Sequence, residues 1–574
     1  MSFLALKKRA KLLNWTVAIA TLGAAAPALA ERGEDGELRI MFWQAPSVLN
    51  PYISNGYKDI EPAGLVVEPL VRFDPDGNMV PWLVTEIPSL ENGGVSEDLT
   101  QMTWHLKPNI TWSDGTPFTS EDVKFTYEYC TSPEFGCAYV SKFASIESVE
   151  TPDDQTVVIN FDVAKSFPYS AFVGSFTPVL QKKQFADCMG TDAVTCSEQN
   201  FMPIGTGPFV VEEFRPNDIA VFSANENYRE PDKPHFAKVV LKGGGDAAAA
   251  ARAVLQTGEF DYAWNLQVAP DVLNSMLEGS DGKLITGFGN NVERIYTNLT
   301  DPSAELGEER STPAHPHPFL SDIRVRQALS IAIDRQLLTD TGYGNSGRPT
   351  CNLLPAPAIY RSSQNDGCLE QDIEGAKALL EEAGYIDSDG DGIRDKDGVR
   401  LKILFQTSNN AVRQDTQALI KHWWSQIGVE TELRNIDGSV FFGADPGSPD
   451  NLWKFYADVQ MYMDGSSGTD PEAYMAYPVC DEIPGPDSQW QGNNIARFCS
   501  PEYDALVEKM AQTGELNKRA ELAKKMNDIL IQSYVIIPLI ERGRLSGVSG
   551  DLDGVQINAW DNELWNIADW SRAE

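Results

Sequence analysis

Runs that read as β-strands alternate with runs that read as helices along almost the whole chain, and that alternation points to an α/β fold. "GELRIMFW" (36–43) reads as a first strand, and "QTVVINFDV" (155–163) alternates with near-strict period two. "DIRVRQALSIAIDRQLL" (322–338) reads as one amphipathic helix, with Val325, Ala328, Leu329, Ala332 and Ile333 on one face. "IEGAKALLEEAGY" (373–385) is another, with Gly384 as its C′ residue. "LKILFQTS" (401–408) is a strand feeding a helix in "AVRQDTQALIKHWWSQIGV" (411–429), and 501–533 reads as a helical pair. "TQMTWHLKPNITWS" (100–113) has the look of a hairpin, followed by a helix "SEDVKFTYEYC" (120–130) capped by Ser120 or Asp122. The polar stretch 300–318, with four prolines and two histidines, reads as a linker.

At 574 residues the chain can hold two or more domains. Its beginning reads as an export signal. Lys7, Lys8, Arg9 and Lys11 precede a mostly apolar run over 12–26, and Ala28-Leu29-Ala30 supplies the small residues a signal peptidase needs. Cleavage after Ala30 would take away four positive charges and no negative one, moving the net charge from −37 to −41. Such acidity argues against nucleic acid and anionic membranes as partners.

Eight cysteines fall into four couples of sequence neighbours, giving the expected disulfides Cys130–Cys137, Cys188–Cys196, Cys351–Cys368 and Cys480–Cys499. Metal ligation is the rival, but there is no C-x-x-C and only five histidines.

Catalytic constellations are missing. The chain has no H-E-x-x-H, no G-x-S-x-G and no Walker A. Gly243-Gly244-Gly245 fits the start of a dinucleotide fingerprint, yet Asp261 comes before the next strand rather than at its end, so strand, loop and helix of an α/β layer is the preferred reading. A secreted hydrolase would need a nucleophile with a base, and none presents itself.

Several segments together resemble the family-5 extracellular solute-binding proteins of ABC transporters. They are "WHLKPNITWSDGTPFTSEDVKFTYE" (104–128), "PIGTGPFVVEEFRPNDIAVFSANENYRE" (203–230), "FLSDIRVRQALSIAIDRQLL" (319–338), "AKALLEEAGY" (376–385) and "IIPLIE" (536–541). The resemblance runs in order through the whole mature chain. It implies a two-lobed type II periplasmic-binding-protein clamshell with an extra third domain. Lobe I would be 31–72 plus 205–300 plus 534–574, the extra domain 73–204, and lobe II 301–533. It also implies no reaction and no required cofactor. The chain would be a monomeric receptor in the periplasm of a Gram-negative bacterium, handing a small solute to ABC permease subunits. A short peptide leads as solute; an opine or sugar conjugate is the alternative.

A peptide in such a cleft needs a carboxylate for its amino end and a cation for its carboxyl end. Peptide-binding relatives carry an aspartate a few residues before a D-P pair. Asp470-Pro471 matches the pair, but Ser467 stands at the usual distance and Asp464 lies three residues further back. Asp464 is therefore a candidate for the amine, the alternative being that no free amine is bound, and Arg413 is a candidate for the carboxylate, with a surface salt bridge as its alternative. Trp43, Trp264 and Asn265 follow strands where an α/β crevice opens, with core packing as their alternative. Tyr462 and Asn494 complete the candidates, and at most one of Trp423 and Trp424 can face a cleft.

One loud feature remains. From Asp387 to Gly398, twelve residues hold five aspartates and three glycines. Counted as a calcium loop, Asp387, Asp389, Asp391 and Asp395 fill positions 1, 3, 5 and 9 and Gly392 position 6, but position 12 is Gly398 instead of glutamate. A structural turn is the leading expectation, with a structural calcium as the rival.

Overall fold

The computed structural model describes residues 32–465 and 468–573. The expected signal at 1–30 and the departure at Ser467 lie outside the described residues.

Two mixed sheets organise the chain. The first has seven strands, in the order Lys283–Gly287, Arg544–Val548, Tyr262–Ala263, Glu37–Phe42, Lys238–Gly243, Ile219–Ala224, Phe209–Arg215. The second has six, in the order Gly347–Pro349, Ile536–Arg542, Val292–Thr297, Val459–Asp464, Lys402–Ser408, Glu430–Ile436. Parallel pairs sit where a helix returns the chain, as between Lys402–Ser408 and Glu430–Ile436 across the helix Ala411–Gln426. A three-stranded sheet (Gln101–His105, Thr156–Phe161, Ile146–Asp153) forms the centre of the extra domain.

Side-chain alternation places the layers. In Glu37–Phe42, Leu38, Ile40 and Phe42 enter one apolar core while Met41 turns to the other face, against the helices Ala247–Leu255 and Pro270–Leu277. The first of these cores continues without a break into the extra domain through Trp104, Ile159 and Phe172. The extra domain thus rides on the first lobe.

Strand pairing departs from the expected segments at two places. Val292–Thr297 and Ile536–Arg542 both belong to the second sheet, although 205–300 and 534–574 were assigned to lobe I. The reason is a continuous antiparallel ribbon. Lys283–Gly287 pairs with Arg544–Val548 in the first sheet, Val292–Thr297 pairs with Ile536–Arg542 in the second, and Arg542 N–H donates to Asn291 O (2.8 Å) between them. Two paired strands therefore pass together from lobe to lobe, and Gly543 alone separates the two halves of the second. A Cβ there would stand 2.7 Å from the Thr286 side chain, so the crossing requires glycine.

Local expectations were corrected in four places. Gln101–His105 pairs with Thr156–Phe161 and not with the residues after it. The helix Ser120–Cys130 starts from Thr119, which forms a capping box with Asp122. The single helix expected at 322–338 is two, Ile323–Ile331 and Arg335–Gly342, because Asp334 caps the second by accepting from Leu337 N–H (2.9 Å). The stretch 300–318 is bound into lobe II instead of linking: His317 is buried, and its Nε2 lies 2.8 Å from Asp458 Oδ1. Gly384 does stand just past its helix with φ +89°, and all four disulfides join the expected partners.

Among the described residues, no helix is long and apolar enough to cross a membrane.

Candidate ligand-binding site

The face-to-face surfaces of the two lobes enclose a cavity of about 120 Å³ beside the ribbon. Lobe I and the extra domain contribute Tyr57, Glu61, Tyr139, Phe176, Trp264 and Asn265, while lobe II contributes Arg413, Phe442, Trp453, Tyr462, Asp464 and Tyr477.

Of the expected residues, Trp264, Asn265, Arg413, Tyr462 and Asp464 meet here. Asp464 ends the strand Val459–Asp464, so it emerges at the sheet's edge facing the cleft. Its carboxylate accepts from Tyr296 OH (3.1 Å) and Gly465 N–H (2.8 Å). Among the described residues no ion pair is formed with it, but the buried guanidinium of Arg294 donates to the Asp464 backbone O, and the charge of Asp464 favours the charged form of Arg294. Aromatic rings surround Asp464. Tyr462 stacks on Tyr296 at 5.0 Å, and Phe442 meets Tyr462 edge-on at 6.2 Å. Its charge is felt in the neighbouring groups. Burial pushes the Tyr57 hydroxyl up to about 12, with Arg544 pulling it down and Asp464 pushing further up. Burial draws the Lys142 ammonium down to about 8, opposed by Asp464.

Arg413 does not stand free to take a ligand carboxylate. It is buried in an ion pair with Glu293, and Nη1 donates to Ser408 Oγ (2.8 Å). The same holds for each of the cavity's other cations: Arg542 lies 3.8 Å from Glu293, Arg544 is 3.1 Å from Glu61, and Lys58 is 2.9 Å from Asp59. Each of the cavity's cations thus faces a carboxylate, while among the described residues both Asp464 and Glu563 line the cavity without an ion pair, Glu563 instead accepting from Tyr262 OH (2.9 Å) and Ser546 Oγ (2.8 Å).

Trp43 and Asn494 lie outside this cavity. Trp43 borders an adjoining outer space of about 840 Å³, and its indole N–H donates to Asn265 O (2.8 Å), holding Asn265 in its left-handed conformation (φ 57°). Asn265 Oδ1 in turn accepts from Arg542 across the lobes. Asn494 lines a small side pocket behind Asp464, and its amide holds the surrounding loop through Val479 O (2.8 Å) and Phe498 N–H (3.1 Å). Its neighbour Asn493 is the one that reaches the cavity. Trp423 and Trp424 are both buried in lobe II.

Other wall residues escaped the sequence reading. Tyr57 and Glu61 are one helical turn apart on the short helix Tyr57–Ala63, and that i, i+4 spacing was the available signal. Tyr139, Phe176 and Tyr477 come from irregular segments that carry no such mark.

The glycine loop at 243–245 borders the outer space. Asp246 caps the following helix by accepting from Ala249 N–H (2.7 Å), which puts a carboxylate where a phosphate would need to sit. Asp261 is bound by Arg39 and Arg572, each at 2.9 Å.

The aspartate-rich loop lies far along lobe II. Asp387, Asp389 and Asp391 bring carboxylate oxygens within 4.8 Å of one another and are exposed. Asp395 is outside that group and accepts from Ser388 Oγ (2.6 Å). Asp387 accepts from the backbone of Gly390 (2.8 Å) and Gly392 (3.0 Å), and Asp391 pairs with Arg400 (2.7 Å). The loop's own amides thus bind the carboxylates, as in an Asx-type turn.

Residues 78–481 match the model of bacterial extracellular solute-binding proteins, family 5, middle region. The chain belongs to that family. It is a family-5 solute-binding protein, a receptor of the ABC-transport type and not an enzyme, and it needs no cofactor. It is 25% identical over 496 residues to the oligopeptide-binding protein AppA of Bacillus subtilis, covering 83% of this chain and 85% of that one. It is 24% identical over 525 residues to a dipeptide-binding protein of Pseudomonas aeruginosa, covering 87% and 88%. The structure of B. subtilis AppA in complex with a nonapeptide superposes with a TM-score of 0.80 at 21% identity, over 95% of this chain and all of that one. AgaA from A. tumefacien R10 in complex with agropinic acid gives 0.75 at 19% identity, over 94% and 99%. These likenesses establish the multi-domain clamshell fold.

Proposed function

We propose that this family-5 receptor captures a short peptide in the interlobe cavity and delivers it to the membrane subunits of an ABC importer. The observation that carries the reading is Asp464: a carboxylate on the cavity wall, set among tyrosines, with no ion pair among the described residues. A ligand ammonium would supply the missing charge, and a desolvated charge-assisted hydrogen bond there would be strong. The cavity's arginines already face protein carboxylates, Arg413 and Arg542 sharing Glu293, so the rest of the ligand would be held through neutral polar groups and ring faces. The names of the relatives, one an oligopeptide-binding and one a dipeptide-binding protein, support the same solute class.

In this reading the two large sheets are the cores of lobes I and II, the ribbon at Gly543 is the hinge, and closure buries the solute. The receptor works as a monomer in the periplasm of a Gram-negative bacterium, without nucleic acid. A calcium ion among Asp387, Asp389 and Asp391 would only stiffen a lobe II turn; a melting-temperature rise with millimolar calcium supports it, and no shift removes it.

Mass spectrometry of the solute released on denaturing the purified protein tests the function. A peptide is expected. An opine would instead favour the second reading, which rests on the likeness to AgaA. A sugar phosphate would overturn both.

A further inference from the structure

A second polar cluster joins the lobes away from the cavity. Lys165 Nζ, on the extra domain, lies 3.6 Å from Glu472 Oε1 of lobe II. Glu472 Oε2 accepts from Arg519 Nη2 (3.0 Å), and Arg519 also binds both oxygens of Asp470 (2.5 and 3.0 Å). Arg519 then reaches back to the extra domain. Its Nη1 donates to Ser166 Oγ (3.3 Å), and its guanidinium lies 5.3 Å from the Phe167 ring centre. Ser166 is itself docked, its N–H and Oγ both donating to Ala511 O (2.8 and 2.9 Å). Arg519 is 3% exposed, and none of these residues lines the ligand cavity.

The cluster sits on the continuation of the strand that ends in Asp464. Four residues beyond Asp464, Gly468 N–H donates to Trp560 O (2.8 Å) on the C-terminal tail. A Cβ on Gly468 would stand 2.2 Å from the Phe73 ring, and its φ is +77°. Two residues after Gly468 come Asp470 and then Glu472. Gly468 and Glu472, both beyond Asp464 in the chain, thus each touch the opposite half of the molecule.

We propose that Arg519 and Lys165 are positioning residues for solute capture, forming a latch through which docking of the extra domain on lobe II fixes the segment that carries Asp464. Charge counting gives the reason. Within lobe II, Arg519 alone faces two neighbouring carboxylates, Asp470 and Glu472. Burial favours the neutral form of Glu472, and Lys165 and Arg519 oppose it. The second cation, Lys165, belongs to the extra domain, so the cluster reaches two charges of each sign only when the halves are docked. Closure thereby gains an interaction that does not touch the solute, made at Asp470 and Glu472 beyond Asp464 in the chain. The latch rests on clamshell closure and is independent of what the solute is.

Hydrogen exchange on the ligand-free protein tests it, because the amides of Ser166 and Gly468 are each bonded across the gap. In Lys165→Met, both amides are expected to exchange about fivefold faster, with the central strand Val292–Thr297 unchanged. Lys165→Arg should restore protection, which a mere packing role would not predict. Arg519→Lys should loosen Gly468 more than Lys165→Met does, since it weakens both halves of the cluster. Unchanged exchange at both amides in Lys165→Met would overturn the latch, and so would acceleration spread evenly over the chain. Neither outcome bears on which solute is released from the purified protein.

Discussion

Glu293 holds Arg413 by two points, Oε1 accepting from Nε and Oε2 from Nη2 (3.2 Å), with Arg542 Nη1 a further 3.8 Å from Oε2. All three are almost fully buried, and Arg542 is bonded onward to Asn265 of the other lobe. One carboxylate is therefore shared by two guanidinium groups beside the ribbon that joins the lobes. Glu293→Gln leaves both cations uncompensated in the interior, and the expected loss is about 3–5 kcal/mol of stability by chemical denaturation. The paired change Glu293→Met with Arg413→Met should cost less than Glu293→Gln alone. Equal or greater loss in the pair would show that Arg413 is not held in this way.

Asp464 should govern affinity and little else. Asp464→Asn keeps the shape and the bond from Tyr296 but removes the charge. The expected effect is about 10- to 100-fold weaker binding of the peptide recovered from the protein, read by calorimetry, with the melting temperature nearly unchanged. Unchanged affinity would remove the amine from the site's chemistry.

Glu61 carries a pH dependence. Burial raises its carboxyl to about 8 from 4.5, Arg544 pulling it down and Glu563 pushing it up. The folded state therefore binds this proton more tightly than the unfolded one. The stabilisation is complete below the unfolded value of 4.5 and is lost as pH rises through about 8. Urea midpoints should fall across that window, and Glu61→Gln should flatten this share of the fall. A wild-type and variant difference that stays constant from pH 5 to pH 8.5 would contradict it.

The Cys480–Cys499 disulfide closes a loop of sequence separation 19 that carries Asn493 and Ile495 to the cavity wall. Replacing both cysteines by serine should cost about 3 kcal/mol of stability. It should also weaken binding of the recovered peptide, because the loop loses its brace. A stability loss with untouched affinity would place the disulfide outside the site's support.

How much was legible in the sequence follows the range of each interaction. Gly384 at a helix end, the alternation in 155–163 and the four disulfides between near neighbours depend on residues a few places apart, and all appear as read. Failures began where the partner is distant. Gln101–His105 pairs with Thr156–Phe161, a partner that no local spacing marks. Asn493 and Asn494 look alike in sequence, yet the loop turns one into the cavity and spends the other on its own carbonyls. Arg413, a candidate for the ligand carboxylate, lines the cavity, but its partner Glu293 is 120 residues away and holds it in a buried ion pair.

The sequence by itself determined the family, the alternating elements and the covalent staples, since each rests on local pattern or on ordered motifs. Only the tertiary structure decided the rest. It carried Val292–Thr297 and Ile536–Arg542 into the second sheet as one ribbon, set a carboxylate against each arginine of the cavity, and, among the described residues, left Asp464 without an ion pair. The physical reason is that charge balance and strand pairing are settled between segments hundreds of residues apart, where burial makes each unpaired group costly and no local spacing records the match.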